Sequence, residues 1–367
     1  MGLPPVPNVL VVGATGVVGE ELLRLLESRT FPHGMLRLAG SERSAGRRVA
    51  YCGTEVEVEP LDERCLEEVD LVFLAAGGDV SRRWAPAAAE AGALVIDSSS
   101  AFRMDPAVPL VVPEINPQAL PDPAAGGAIV ANPNCSTIIA LMAATPLDAL
   151  AGVRRMVACT YQAASGGGRA MMEELEQQAR DWAAGRPLAT DVVGRPYLFN
   201  LFSHDSAIGP DGANEEERKM ARETARIWDR ADVRVGATCV RVPVLRAHTI
   251  ALHLELAEAV TADAARAAIG RFPGVRLIDD RAANRFPEPR DAAGGDEVLV
   301  GRVRLDPAFG DAPGDAAATD QAPAGTGLAL IACGDQLRKG AALNAVQIAE
   351  ALLERAGHAT PAEGLLA

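Results

Sequence analysis

Residues 8–28 read NVLVVGATGVVGEELLRLLES, and this stretch decides the expected fold. Asn8 to Val12 form a short, Val-rich apolar run, the mark of a buried strand. Val18, Leu22, Leu25 and Leu26 then recur at helical spacing. Between the two lie Gly13, Gly16 and Gly19 in G-x-x-G-x-x-G order. Glycine lets backbone approach a pyrophosphate closely, and the helix that follows aims bare N–H groups at it. The spacing is looser than G-x-G-x-x-G, so a tight strand-to-helix turn without a nucleotide stays open as the alternative.

The pattern repeats outward. Leu36–Ala39 reads as a second strand, Asp70–Ala75 as a third ending in Ala76-Gly77-Gly78, residues 82–91 as a helix and 93–99 as the next strand. This alternation predicts an α/β, doubly wound (Rossmann-like) parallel sheet. After about residue 131 the character changes. Residues 153–163, 233–244 and 248–256 are longer β-branched runs, with helices expected at 169–184 and 262–270 and a further strand at 297–304. That predicts a second, α+β domain with a mixed sheet. The chain ends in an amphipathic helix at 339–356, expected to return to the first domain. The resulting division is 1–131 with 336–367, and 132–335. Residues 308–327 carry no large apolar side chain beyond Phe309, so they are expected to be a flexible insertion.

The chain has 367 residues, and Lys+Arg 35 against Asp+Glu 49 give a net charge of −14. That argues against a nucleic-acid or anionic-membrane binder, yet leaves room for a small anion held by a few arginines. The six cysteines include no C-x-x-C pair, so reduced thiols in a cytoplasmic protein are expected, with no metal site. MGLPPVPN has no basic or apolar segment of a signal peptide, and no apolar run approaches the ~18 residues that span a bilayer.

Two segments carry chemistry. Asn132-Pro133-Asn134-Cys135-Ser136-Thr137 opens an apolar helix, which puts Cys135 near a helix N-terminus, where thiolate is stabilised. Arg241-Val242-Pro243-Val244-Leu245-Arg246-Ala247-His248 places a histidine after a strand and a turn, fit to exchange a proton with a thiol or a carbonyl oxygen. An inert thiol and a surface histidine are the bland alternatives. Ser41, Arg43 and Ser44, after the second strand, suit a 2′-phosphate better than a ribose hydroxyl, although Glu42 lies among them.

Taken together, the segments GATGVVG (13–19), SERSAGR (41–47), SSSAFRMD (98–105), VPLVVPEIN (108–116), NPNCST (132–137), YQAASGGG (161–168), EERKM (216–220), RVPVLRAHT (241–249) and DQLRKGAALNAVQIAE (335–350) resemble the aspartate-β-semialdehyde dehydrogenases. The resemblance implies NADP-dependent, reversible conversion of aspartate semialdehyde and phosphate to aspartyl phosphate, in lysine, threonine and methionine biosynthesis. It implies Cys135 as nucleophile, His248 as acid/base and Gln162 orienting the intermediate. Arg241 and Glu216 would hold the substrate's carboxylate and ammonium; Arg103, Asn134 and Lys219 would hold phosphate. NADP would lie against Gly13, Thr15, Gly16, Val17, Val18, Ser41, Arg43, Ser44, Ala76, Gly77, Ser165, Gly166 and Asn344. A homodimer is the implied assembly. Departures from the family pattern are the Gly166-Gly167-Gly168 run, Asp335-Gln336 where Asp-Asn is common, and the length of 308–327. An N-acetyl-glutamyl-phosphate reductase or a non-catalytic dinucleotide-binding paralogue are the rivals. The first usually has Pro-Gly-Cys where Asn134 precedes Cys135, and the second would be expected to lose the thiol or the histidine.

Overall fold

The strand–turn–helix at the start opens the first of two units in the computed structural model, which describes residues 2–309 and 323–359. Strand β1 (Val9–Val12) is buried throughout, and helix α1 (Val17–Ser28) turns Leu22, Leu25 and Leu26 inward. There follow β2 (Leu36–Gly40), β3 (Arg48–Tyr51), β4 (Thr54–Pro60), β5 (Leu71–Leu74), α2 (Gly78–Glu90), β6 (Leu94–Asp97) and β7 (Ala128–Ala131). The strand order is β3-β4-β2-β1-β5-β6-β7, parallel except for β3 against β4. The doubly wound sheet is therefore present, with an antiparallel edge hairpin added. Cys52 and Gly53, both at positive φ (47° and 74°), make its two-residue turn. From β1 the chain moves to one side for β2, whereas β5 pairs on the other side. The C-terminal ends of β1 and β5 thus flank a topological switch point, where such sheets bind ligands.

The second unit runs from Cys135 to Lys339. It holds α3 (Cys135–Ala151), β8 (Val153–Gln162), α4 (Arg169–Ala183), β9 (Phe202–Ser203), α5 (Glu215–Ile227), β10 (Arg234–Arg241) and β11 (His248–Thr261). After these come α6 (Ala262–Gly270), β12 (Val275–Leu277), α7 (Pro289–Ala292), β13 (Val298–Leu305) and β14 (Ala324–Gly334). Its sheet has the order β12-β13-β14-β11-β8-β10-β9 and is mixed: β8 with β10 and β12 with β13 are parallel, the other pairs antiparallel. Helices α3, α5 and α6 pack against it. Along β8 the buried residues Met156, Ala158, Thr160 and Gln162 alternate with half-buried or exposed Val157, Cys159 and Tyr161, so one face is left more open.

The chain re-enters the first unit at Gly340 and forms α8 (Leu343–Arg355) after a π-helical turn at 338–342. Leu343, Val346 and Leu353 join Leu22, Leu25 and Leu26 on one face of the first sheet, while Ala85 and Ala88 of α2 join Leu10, Val72 and Val95 on the other. The units meet at 134/135 and 339/340, a few residues past the expected boundaries. Among the described residues no helix is long and apolar enough to cross a membrane.

The insertion expected at 308–327 needs correction. Residues 310–322 lie outside the described residues, but Ala324–Gly327 are the first residues of β14, paired with Glu255, Val260 and Thr261 of β11. Backbone bonds, not side chains, tie this glycine-rich end into the sheet, which is why its composition read as uncommitted. Gly327 is required there: a Cβ would collide with the carbonyl oxygens of Asp306 and Phe309. Phe309 is engaged as well, under the Arg155 guanidinium at 4.4 Å.

Candidate active site and nucleotide pocket

At the switch point the first unit holds a cavity of about 660 Å³. Val12, Gly13, Thr15, Gly16, Gly40, Ser41, Glu42, Ser44, Asp62, Ala75, Ala76, Val80 and Trp84 are among the residues lining it. Gly13 has φ +86°, and a Cβ there would collide with Ala75 O; a Cβ on Gly19 would collide with Gly13 O and lie 2.8 Å from Ala14 Cα. These two glycines permit the tight turn and the close seating of α1 on β1. Gly16 caps α1 and Gly77 caps α2, neither with a side-chain bond, so backbone N–H groups at both helix starts are available to an anion. These features fit a dinucleotide.

Of the expected cofactor residues, Gly13, Thr15, Gly16, Ser41, Ser44 and Ala76 line the cavity. Val17 and Val18 are the first residues of α1, and Thr15 Oγ1 donates to Ser44 Oγ at 3.3 Å. Arg43 is exposed and is not among the lining residues. Two carboxylates that bear on the sugar end are Glu42 and Asp62. Asp62 is committed to Arg64, whose guanidinium it accepts at 2.6 Å. Asn344 is buried, and its amide donates to Val111 O at 3.0 Å and Asn132 Oδ1 at 2.6 Å, so both its N–H groups are spent inside the first unit. Arg103, also buried in this unit, donates to Asn132 O at 2.9 Å and Ser98 O at 3.0 Å. Asn134, directly before Cys135, is 5% exposed.

In the second unit the sheet gathers the reactive candidates at one end. Gln162 closes β8, Arg241 closes β10 in register with it, and His248 opens β11, whose next residue Thr249 faces Tyr161. Helices α3 and α5 each run back along the strand that follows them, so their N-termini reach the same end. Two contacts document this. Gln162 Nε2 donates to Ser136 Oγ at 2.9 Å, and to Glu216 Oε1 at 3.3 Å. Cys135 is thereby the first residue of α3, half-buried, beside the residue that Gln162 holds. Three other thiols are unsuited to nucleophilic work: burial pushes Cys239 up to about 12, Cys333 up to about 11, and raises Cys65.

Arg241 is 3% exposed; its Nε donates to Asp205 Oδ1 at 3.0 Å and its Nη1 to Ala163 O at 3.3 Å. Burial alone would raise the Asp205 carboxyl, but the Arg241 cation and its hydrogen bond prevail and the net shift is downward. Lys219 lies one helical turn beyond Glu216, with Nζ 3.4 Å from Oε2. His248 is fully buried, its Nδ1 accepting from Ala163 N–H at 3.1 Å. Burial first, then the Arg241 cation, lower it to about 3. Ser165 and Gly166 sit in the short turn after β8; a Cβ on Gly166 would come within 2.8 Å of Arg241 Nη1 and 3.0 Å of the His248 ring. Asp205 and the bonds of Gln336 escaped sequence reasoning. Asp205 fixes Arg241. Gln336 accepts from Ala247 N–H at 3.0 Å and donates to Ser165 Oγ, joining the turns on either side of the site.

Known proteins match along both units. A family model described as "Semialdehyde dehydrogenase, NAD binding domain" matches residues 8–122, and one described as "Semialdehyde dehydrogenase, dimerisation domain" matches 145–339. The chain is 47% identical to an aspartate-semialdehyde dehydrogenase of Synechocystis over 96% of its length and 99% of the relative's. It is 40% identical to that of Corynebacterium glutamicum, covering 95% of this chain and 99% of the other. A crystal structure from Vibrio cholerae, described as aspartate semialdehyde dehydrogenase II complexed with ASA, superposes with TM-score 0.87 at 39% identity, covering 95% and 98% of the two chains.

Proposed function

The chain belongs to the aspartate-semialdehyde dehydrogenase family, and from that premise we propose that it oxidises L-aspartate 4-semialdehyde with phosphate to 4-aspartyl phosphate, reversibly, using NADP. The observation that carries the reading is the convergence of Gln162, Arg241, His248, Glu216 and the start of α3 at one end of the second sheet. Acyl transfer through a thioester needs a thiolate, groups serving the carbonyl oxygen and a grip on the substrate, and these are the groups gathered.

Cys135, its thiolate favoured by the N-terminus of α3, adds to the aldehyde carbon. Arg241, held by Asp205, offers a planar fork to the substrate carboxylate, and Glu216 takes the ammonium. Gln162 orients the bound group, and His248 faces its oxygen. Arg103, Asn134 and Lys219 receive phosphate. A bound nicotinamide supplies the hydride acceptor or donor. Gly13, Thr15, Gly16, Val17, Val18, Ala76 and Gly77 hold the pyrophosphate end through backbone, with Ser165, Gly166 and Asn344 serving the nicotinamide end. Ser41 and Ser44, with Arg43 on the same loop, receive the 2′-phosphate, Asp62 being occupied by Arg64. The protein works as a homodimer in the cytoplasm, the more open face of the second sheet, with Tyr161 40% exposed, serving as the contact.

The test is turnover by purified protein of aspartate semialdehyde with phosphate and NADP⁺. Expected are phosphate-dependent NADPH formation, its loss in Cys135→Ala, and little turnover of acetylated glutamate semialdehyde. Retained turnover in Cys135→Ala, or preference for the acetylated substrate, refutes the assignment. Equal kcat/KM with NAD⁺ refutes the 2′-phosphate reading alone.

A further inference from the structure

Four consecutive residues after β9 tie the end of β10 to the start of α5, each through a different bond. His204 N–H donates to Cys239 O of β10 at 2.9 Å. Asp205 Oδ1 accepts from Arg241 Nε at 3.0 Å. Ser206 Oγ accepts from Glu216 N–H at 3.2 Å, and Ala207 O accepts from Glu215 N–H at 2.9 Å. The last two satisfy N–H groups that the first turn of a helix leaves open. Asn214 Oδ1 takes the next one, from Glu217 at 2.9 Å. The helix returns the tie, because Glu217 Oε1 accepts from Cys239 N–H at 3.0 Å. Cys239 thus joins this short segment and α5 through its two backbone groups.

The segment is also braced within itself. Ser206 N–H donates to His204 Nδ1 at 3.1 Å, with Ser206 Oγ 3.0 Å from the same nitrogen. Accepting there requires a ring without a proton on Nδ1. Burial first, then the Arg241 cation, lower His204 against the opposing pull of Glu216 and Asp205, so the ring is neutral at neutral pH. Adjacent residues therefore carry the two charges of the site. Asp205 orients the Arg241 guanidinium, and Ser206 fixes the backbone from which Glu216 projects. Both are referred to one short, hydrogen-bonded piece of chain.

We propose that residues 204–207 form a specificity-determining strap, which holds Arg241 and Glu216 at the spacing of a carboxylate and an ammonium borne on one carbon, so that the site selects aldehydes with a free α-amino acid head. This rests on the roles of Arg241 and Glu216 in the reaction proposed above. Labour is divided along the strap. Asp205 serves the carboxylate side, and losing its charge weakens every aldehyde that carries a carboxylate. Ser206 serves the ammonium side. With alanine there, Glu216 N–H loses its acceptor and the first turn of α5 loosens. Gln162 Nε2 at 3.3 Å and Lys219 Nζ at 3.4 Å bear on the Glu216 carboxylate and do not replace that backbone bond. The ammonium grip then drifts from Arg241, and only amino-bearing aldehydes lose by it.

The experiment compares the unsubstituted protein with Ser206→Ala, Ser206→Thr and Asp205→Asn, their folding checked by melting temperature. The substrates are aspartate semialdehyde and succinate semialdehyde, which keeps the carboxylate and lacks the amino group. In Ser206→Ala, KM for aspartate semialdehyde is expected to rise about tenfold, the scale of one net hydrogen bond, with kcat falling no more than about threefold. Its kcat/KM for succinate semialdehyde stays within about twofold of the parent, so the preference for the amino-bearing aldehyde drops. Ser206→Thr keeps the hydroxyl and restores the preference, and Asp205→Asn weakens both aldehydes alike. A Ser206→Ala protein with the parental preference, one that loses both aldehydes equally, or a preference lost in Ser206→Thr as well overturns the proposal. The same preference is read without turnover by titrating L-homoserine and 4-hydroxybutyrate, the alcohols corresponding to the two aldehydes, into the cofactor-free proteins. A preference for the amino-bearing alcohol that falls in Ser206→Ala supports the strap, and one that is absent or unmoved overturns it. Should the unsubstituted protein show that preference yet not turn over aspartate semialdehyde, the reaction assignment falls and the strap stands.

Discussion

Gln336→Leu is the substitution that most directly tests how the site is held. Gln336 is 3% exposed and spans two segments, accepting from Ala247 N–H at 3.0 Å and donating to Ser165 Oγ. Ala247 is buried, precedes His248, and sits at φ +75°, a left-handed conformation that costs a non-glycine residue about 1–2 kcal/mol. Leucine fills a similar volume but leaves Ala247 N–H and Ser165 Oγ without this partner. At about 1–3 kcal/mol for each of the two buried groups so stranded, the loss is about 2–6 kcal/mol. For a unit the size of residues 135–339 that lowers the melting temperature by roughly 4–24 °C, at about 2–4 °C per kcal/mol. The catalytic consequence is separate. Freed from the clamp, Ala247 relaxes and carries His248 with it, and displacement by about 1 Å is enough for a drop in kcat near 10²-fold. Differential scanning calorimetry and initial-rate assays measure the two effects. A double-mutant cycle with Ala247→Gly, which removes the conformational strain, should show coupling, because the clamp then has less to hold. A Gln336→Leu protein melting within ~2 °C of the parent and turning over within about threefold of it would refute the clamp.

Gly13→Ala combines a left-handed φ of +86° with a collision against Ala75 O, whereas Gly46→Ala meets nothing within 4 Å at φ +78°. Calorimetric titration with NADP⁺ should show at least tenfold weaker binding for the first and near-parental binding for the second, which loses only about 1 kcal/mol of stability. Asp205→Asn keeps an acceptor for Arg241 Nε but loses the charge, worth about 1.4 kcal/mol, so KM for aspartate semialdehyde should rise about tenfold at nearly constant kcat; an unchanged KM counts against the positioning role. His248, lowered to about 3 in the fold, stays neutral there while the unfolded chain titrates near 6.5, so its contribution is complete above about pH 6.5 and is lost as pH falls from there toward 3. Between pH 7 and 5 the parent should therefore lose about 2 kcal/mol more than His248→Gln in urea unfolding, and equal losses would contradict a buried neutral ring.

Much of the fold was legible because period and punctuation agree with packing. The glycine turn, β1 and α1 follow from residues 8–28, and β8, β10 and β11 from their β-branched runs. Elements whose stabilisation lies in backbone pairing were not. The sequence TEVEVEP of β4 hides a strand among charges, and the glycines at 325 and 327 hide the start of β14. The site divides in the same way. Cys135 and His248 announce themselves through residue type and local context. Gln336 does not, because its partners Ala247 and Ser165 lie 89 and 171 residues away and neither bond leaves a local trace. Asp205 reads as one acid among many until Arg241 closes on it.

The charge arrangement links Arg241 to the state of His248. A chain of net charge −14 concentrates Arg241 and Lys219 at one end of a sheet and balances them with Asp205 and Glu216. Arg241 contributes twice: its guanidinium donates to Asp205 at 3.0 Å, and its field opposes a second proton on His248. When a substrate carboxylate neutralises that cation, only part of the force holding His248 neutral disappears, because burial is the larger cause and the Ala163 N–H remains on Nδ1. Burial and the Ala163 N–H therefore keep the ring neutral even where the charge of Arg241 is offset.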